Sequence, residues 1–159
     1  MKTDIFLHFP QKGNNIFETF RSISCQSDSP NQVFIFTESN NTDLPDDSIP
    51  IYPTEKGLSG QFNDALFQSN ADMILYIDNR TSPIVLSSSI ISLLSISKER
   101  FPDTGMFYSD YDLIDNESIS EIRLLKHHQG RVRDNQDYGK VFLFDKNILS
   151  TISILGFID

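Results

Sequence analysis

Met73-Ile74-Leu75-Tyr76-Ile77 runs directly into Asp78-Asn79-Arg80-Thr81-Ser82-Pro83. Five consecutive apolar or aromatic residues leave no polar face, so the stretch predicts a strand covered on both sides, as in a parallel sheet sandwiched between helices. The polar turn after it then lies at the strand's carboxyl end. Ser82-Pro83 predicts a helix start, serine as the cap and proline at the first helical position, where its missing N–H costs nothing. That helix is expected to run to about Ser97 with Leu86, Ile90, Leu93 and Leu94 inward.

Working outward, the same alternation recurs. Upstream, Leu58, Phe62, Ala65 and Leu66 form a helical stripe, preceded by a short strand over Ile49–Tyr52 and a Pro/Asp-rich stretch from Leu44 to Pro50. Val33-Phe34-Ile35-Phe36 is a second buried-type strand. Ile16, Phe20 and Ile23 share a helical face, and Ile5 to Phe9 is an opening strand stopped by Pro10. Downstream, Met106-Phe107-Tyr108 starts a strand, Asp115-Asn116-Glu117-Ser118 turns a hairpin, and Val141-Phe142-Leu143-Phe144 is the last clear strand. This order implies an α/β layered domain with a mostly parallel central sheet, spanning 1–159 as one unit. Ligands of such sheets bind beyond the carboxyl ends of the strands, where strand order reverses. Three polar loops are expected there: 10–15, 37–43 and 78–82.

Composition narrows the partners. The 159 residues suffice for one domain burying roughly two-thirds of its unfolded surface. Thirteen Lys and Arg against 22 Asp and Glu give a formal net charge of −9, which argues against non-specific binding to nucleic acid or anionic lipid, both of which require a cationic face. A phosphorylated metabolite held by a few local groups is compatible with it. Cys25 is the only cysteine, which excludes an internal disulfide and fits a reducing, cytoplasmic setting. No apolar run approaches the ~18 residues of a membrane span, and the N-terminus does not read as a signal peptide.

Acids directly after buried strands, Glu38 and Asp78, have their backbone held by the sheet while their carboxylates face the crevice. They suit hydrogen bonds to a base or ribose, or a hard cation beside phosphate. An ordinary Asx or capping turn is the other use of such residues. Gly57 before a helix, with Ser59 in its first turn, lets the backbone approach an anion, or simply makes a turn. No Gly-Lys-Ser/Thr follows at the spacing of a phosphate-cradling loop. Adjacent His127 and His128 point in different directions and lack a third ligand, so they read as surface residues. His8 reads as a core or edge residue of the first strand, and Cys25 as structural.

In order, these loops resemble the nucleotide-sugar-binding part of the family 2 glycosyltransferases, which have the GT-A fold. Ile35 to Asp43 is similar to the strand ending in the family's acids. Lys56-Gly57-Leu58-Ser59 through Asn63 is similar to its Gly-x-Ser-x-x-Arg-Asn helix start. Met73 to Asp78 followed by Asn79-Arg80-Thr81-Ser82-Pro83 is similar to the strand entering an Asp-x-Asp motif. Phe107-Tyr108-Ser109-Asp110 and Ile154 to Asp159 are similar to the later strand and the Gly-Gly-Phe-Asp/Glu segment. The resemblance implies a GT-A-like domain of bacterial polysaccharide-type biosynthesis binding a UDP- or GDP-type nucleotide sugar. Pro10 and Glu38 would lie by the base, Asn40 in the donor site, Gly57 and Asn63 near the nucleotide, and Asp78 at ribose and metal.

Three positions depart from that pattern: Thr37 replaces the first acid, Phe62 the helix-start arginine, and Arg80 the second acid of Asp-x-Asp. A cation at Arg80 repels Mg²⁺ or Mn²⁺, which weakens the implied metal at Asp78. Arg80 either contacts the diphosphate itself as a fixed charge or pairs with a neighbouring carboxylate. The family's base follows the Gly-Phe-Asp/Glu segment, so the sequence reads as a domain truncated at its C-terminal end, its base and acceptor site supplied from elsewhere. The rival readings are a non-catalytic GT-A-like binding module and an unrelated α/β domain.

Overall fold

The computed structural model describes residues 1–9, 16–38, 44–115, 118–124 and 137–154. Within these, the chain forms β1 (Thr3–His8), α1 (Ile16–Ser24), β2 (Gln32–Phe36), β3 (Ile49–Ile51), α2 (Gly57–Gln68) and β4 (Met73–Asp78). It continues with α3 (Ile90–Arg100), β5 (Met106–Tyr108), β6 (Tyr111–Asp115), β7 (Ser118–Ile122), β8 (Val141–Asp145) and α4 (Lys146–Ile154). Six strands make one sheet in the order β3-β2-β1-β4-β8-β5, and β6 and β7 form a separate hairpin. The pairs β3–β2, β2–β1 and β1–β4 are parallel, whereas β8 runs antiparallel to both β4 and β5. The expected mostly parallel α/β sheet is therefore present, with one reversed strand inside it.

Alternation along the strands divides the core in two. Ile5, Leu7, Ile35, Leu75 and Ile77 point to one face and pack with Ile16 and Ile23 of α1 and Ile91 and Leu94 of α3. Phe6, Phe34, Phe36 and Ile74 point to the other, against Ala65 and Leu66 of α2 and Leu149 of α4. Both faces are covered, which is why β1, β2 and β4 read as unbroken apolar runs. The second face is aromatic: the Phe6 ring lies 5.3 Å from both Phe34 and Phe62 and 5.6 Å from Phe36. Edge-to-face pairs at such distances add to the burial of the rings themselves.

One expected element is corrected. No helix begins at Ser82-Pro83; α3 starts at Ile90, with Ser89 before it. The amides of the intervening segment are taken by side chains instead. Ile84 N donates to Asn79 Oδ1 (2.8 Å) and Thr19 Oγ1 (3.2 Å), and Leu86 N donates to Ser22 Oγ (3.0 Å). Fastened to α1 in this way, residues 83–87 cannot join a helical ladder. The inward stripe shifts with the later start: Leu86 and Leu94 are buried, but Leu93 is 54% exposed and Ile91 takes its place.

Candidate functional site

From β1 the chain steps outward to β2 and β3 in one direction, then returns to place β4 on the opposite side of β1. Strand order therefore reverses between β1 and β4. At the carboxyl end of that pair His8 stands in register with Asp78. β1, β2 and β4 all end at this edge; of the three loops expected there, 78–82 is described, whereas 10–15 and 39–43 lie outside the described residues. Pro10 and Asn40, together with His127, His128 and the closing residues 155–159, lie outside the described residues.

Asp78 and Arg80 dominate the described part of the edge. Arg80 Nε donates to Asp78 Oδ1 at 2.8 Å, and one Nη (Nη2) donates to Oδ2 at 2.7 Å. The Arg80 backbone N–H adds a contact to Oδ1 at 3.2 Å. This bidentate fork is the strongest form of arginine–carboxylate pairing. It holds the Asp78 carboxyl below the usual carboxylate range, against the opposing effect of burial. Asp78 is 8% exposed, and its backbone N–H donates to Lys140 O (2.8 Å), bringing the lead-in to β8 to the same place. Of the two sequence readings of Arg80, pairing with a neighbouring carboxylate is observed, the partner being Asp78 itself.

Behind this pair lie His8 and Tyr76, whose Nδ1 and hydroxyl are 3.2 Å apart. Burial pushes the Tyr76 phenol up to about 12, so it stays protonated. Burial first, and Arg80 second, lower the His8 pKa, favouring neutral imidazole. In the unfolded chain the imidazole titrates near its ordinary ~6.5. Protons are therefore bound more readily by the unfolded state below that pH, and the stability His8 contributes is complete above it and lost as pH falls towards the lower native value. The wild type should thus lose resistance to urea from pH 7 to pH 5 relative to a His8→Gln variant. Parallel pH profiles of the two would disprove this.

Glu38 is exposed just past β2. Gly57 opens α2 with φ of +62°, a left-handed conformation that glycine adopts without a Cβ penalty. It lies at the same edge, because α2 must run back from the end of β3 to the start of β4. Asn63 is half-buried inside α2, about 9 Å along the helix axis from Gly57 at 1.5 Å per residue. Thr37, at the position of the first acid, is buried, and its backbone N–H donates to Ile51 O. Gln61 Nε2 donates to both Thr37 O (2.7 Å) and Ile51 O (2.8 Å), tying the ends of β2 and β3 to α2. Phe62, at the arginine position, packs into the aromatic face. Beside it, Leu58, Ser59, Phe62, Tyr76, Phe144 and Leu149 line an apolar cavity of about 270 Å³.

Sequence reasoning did not single out Tyr76, Lys140 or Gln61, and placed His8 only in the core or at an edge. His8 shares its parity with Phe6 at the end of a buried strand, and Gln61 is a polar residue one turn before Ala65 in a buried stripe. Those were the available signals.

The Asp78 oxygens also decide whether the residues present fit the divalent cation that the resemblance implies. Both accept from Arg80, whose guanidinium occupies the space in front of the carboxylate. Among the described residues no group of three or more His, Cys, Asp or Glu is arranged to hold a metal. The described residues of this edge do not fit Mg²⁺ or Mn²⁺.

The sequence matches no protein-family model and has no match among curated proteins. Solved structures do match. The CMP:2-keto-3-deoxy-manno-octonic acid synthetase complexed with CTP superposes with a TM-score of 0.63 and 9% identity, covering 98% of this chain and 78% of that one. The chain has the nucleotidyltransferase fold, which is related to GT-A. The 4-diphosphocytidyl-2C-methyl-D-erythritol synthase of Anaerococcus prevotii gives a TM-score of 0.55 at 10% identity, covering 98% and 75%. HddC of Yersinia pseudotuberculosis gives 0.54 at 12%, covering 93% and 79%. Identities this low establish the fold alone. The resemblance to family 2 glycosyltransferases thus holds at the level of the fold, and the similar structures named here are not members of that family. Among the described residues no helix is long and apolar enough to cross a membrane.

Proposed function

We propose that this chain is a nucleotide-binding domain, taking a nucleotide sugar or its parent nucleotide at the carboxyl edge of β1, β2 and β4. The reversal of strand order between β1 and β4, with His8, Asp78 and Arg80 gathered on it, carries this reading, since ligands of open α/β sheets bind at such points. The CTP complex of the structurally similar synthetase supports it. In the finer form of the proposal the base lies by Pro10 and Glu38, and the remainder of the donor lies along Asn40, Gly57, Asn63 and Asp78. The acceptor hydroxyl oxygen then displaces the nucleoside diphosphate directly at the anomeric carbon, the bond to the diphosphate oxygen breaking as the new one forms and the hydroxyl proton going to a base supplied from elsewhere, as the sequence resemblance implies. Localisation in the cytoplasm, where such donors are made, belongs to the same reading.

A ligand that binds only the native state raises its stability. At ten times the dissociation constant the melting temperature should rise by about 3–6 °C for a chain of this size. Thermal melts with CTP, UDP, GDP and UDP- and GDP-sugars test this, and no shift with any of them would sink the proposal. A second reading, a non-catalytic binding module, is favoured by the closed Asp78–Arg80 pair. It expects the thermal shift without release of UDP or GDP from the sugar nucleotide, and measured release rejects it.

A further inference from the structure

The fork between Asp78 and Arg80 has two sides. A guanidinium carries five N–H donors. Asp78 takes the Nε hydrogen and one Nη2 hydrogen, so the opposite edge, with both Nη1 hydrogens and the second Nη2 hydrogen, is turned away from the carboxylate. Among the described residues no other hydrogen bond or ion pair engages it. The Arg80 side chain is 51% exposed while that of Asp78 is 11% exposed, so the outer edge faces solvent and the inner edge faces the sheet. The Asp78 backbone is fixed at the end of a central strand and by the bond to Lys140 O. An arginine held so firmly on one edge loses little further freedom when a ligand meets the other. A planar array of donors of this kind matches phosphate oxygens.

We propose that the outer edge of Arg80, clamped by Asp78, binds the diphosphate of the nucleotide in place of a divalent cation, so that binding at this site is metal-independent. The inference rests on the nucleotide-binding reading and deepens it by naming how the phosphates are held. Asp78 is then a positioning residue: it orients the guanidinium and touches no phosphate. Lys140, exposed and joined through its carbonyl to the Asp78 N–H, puts a second positive charge close to the same edge. Among the described residues, Glu38 and Asp78 offset these two cations before the ligand arrives.

Calorimetric titration of the whole chain with UDP, GDP and CTP, each in EDTA and in Mn²⁺, tests the inference. The expected result is one nucleotide binding with equal affinity in both conditions. Arg80→Gln should weaken it by about tenfold to a hundredfold, the worth of a charge-assisted hydrogen bond to phosphate. Arg80→Lys, which keeps the charge and loses the fork, should fall between the two, with circular dichroism confirming that both variants are folded. Arg80→Asp places a second carboxylate two residues after Asp78, and its binding should become dependent on Mn²⁺. Binding by the wild type only in Mn²⁺, or affinity unchanged in Arg80→Gln, overturns the metal-free inference and leaves the nucleotide reading standing. Absence of binding by any of the three nucleotides in both conditions overturns the nucleotide reading itself.

Discussion

Phe6→Ala lowers the free energy of unfolding by about 3–5 kcal/mol, the range for truncating a fully buried phenylalanine. Phe6 has no exposed surface and lies where β1, β2 and α2 meet, its ring in contact range of Phe34, Phe36 and Phe62. Removal takes away the transfer free energy of the ring and leaves a cavity whose walls belong to a sheet and a helix, which cannot collapse to fill it. Against a total stability of about 5–15 kcal/mol for a domain, such a loss is decisive. Phe67→Ala is the control. That ring is 92% exposed and its loss should stay within about 0.5 kcal/mol. Urea denaturation measures both, and equal midpoints for the two variants would refute the packing described for the aromatic face.

Asn79→Ala is expected to cost about 2–3 kcal/mol although the residue stands between the two halves of the candidate site. Strand alternation sends Asp78 towards the α2 and α4 face and Asn79 to the opposite one, where it is fully buried. There its Oδ1 accepts from Thr19 Oγ1 (3.2 Å) and Ile84 N (2.8 Å), so a single amide fastens α1 and the segment before α3 to the end of β4. Thr19→Val removes a member of the same network. The double variant should therefore lose less than the two single losses added together, because their shared bond can be lost only once. Simple additivity would mean that the two side chains act independently.

The apolar runs made β1, β2 and β4 readable, because a parallel strand buried on both faces permits nothing else. The helical stripes of α1 and α2 were equally plain, and the hairpin expected around Asp115–Ser118 is present as β6 and β7. Less legible were features that depend on distant partners. Ser82-Pro83 looks like a helix start, but Thr19, Ser22 and Asn79 compete for the amides that a helix would need. The direction of β8 is invisible in Val141–Phe144, since an apolar run reads the same in a parallel or an antiparallel neighbour. Arg80 was legible as a departure from the acidic pattern, and only the structure shows that its carboxylate partner is Asp78. The part of the candidate site formed by His8 and Tyr76 depends on register between strands 68 residues apart, which local sequence does not express.

The placement of β8 imposes an order on assembly. Strands β1 to β4 are all complete by Asp78 and pair directly with one another, so this half can form while later residues are still being synthesised. β5 is finished by Tyr108, yet among the described residues its one neighbour in the sheet is β8, which is not complete until Asp145. Until then β4 presents Ile74, Leu75 and Tyr76 along an unpaired edge, the kind of surface on which chains aggregate. Closure of the sheet thus waits for β8, and the nascent chain passes through an interval in which β4 lies open on that side.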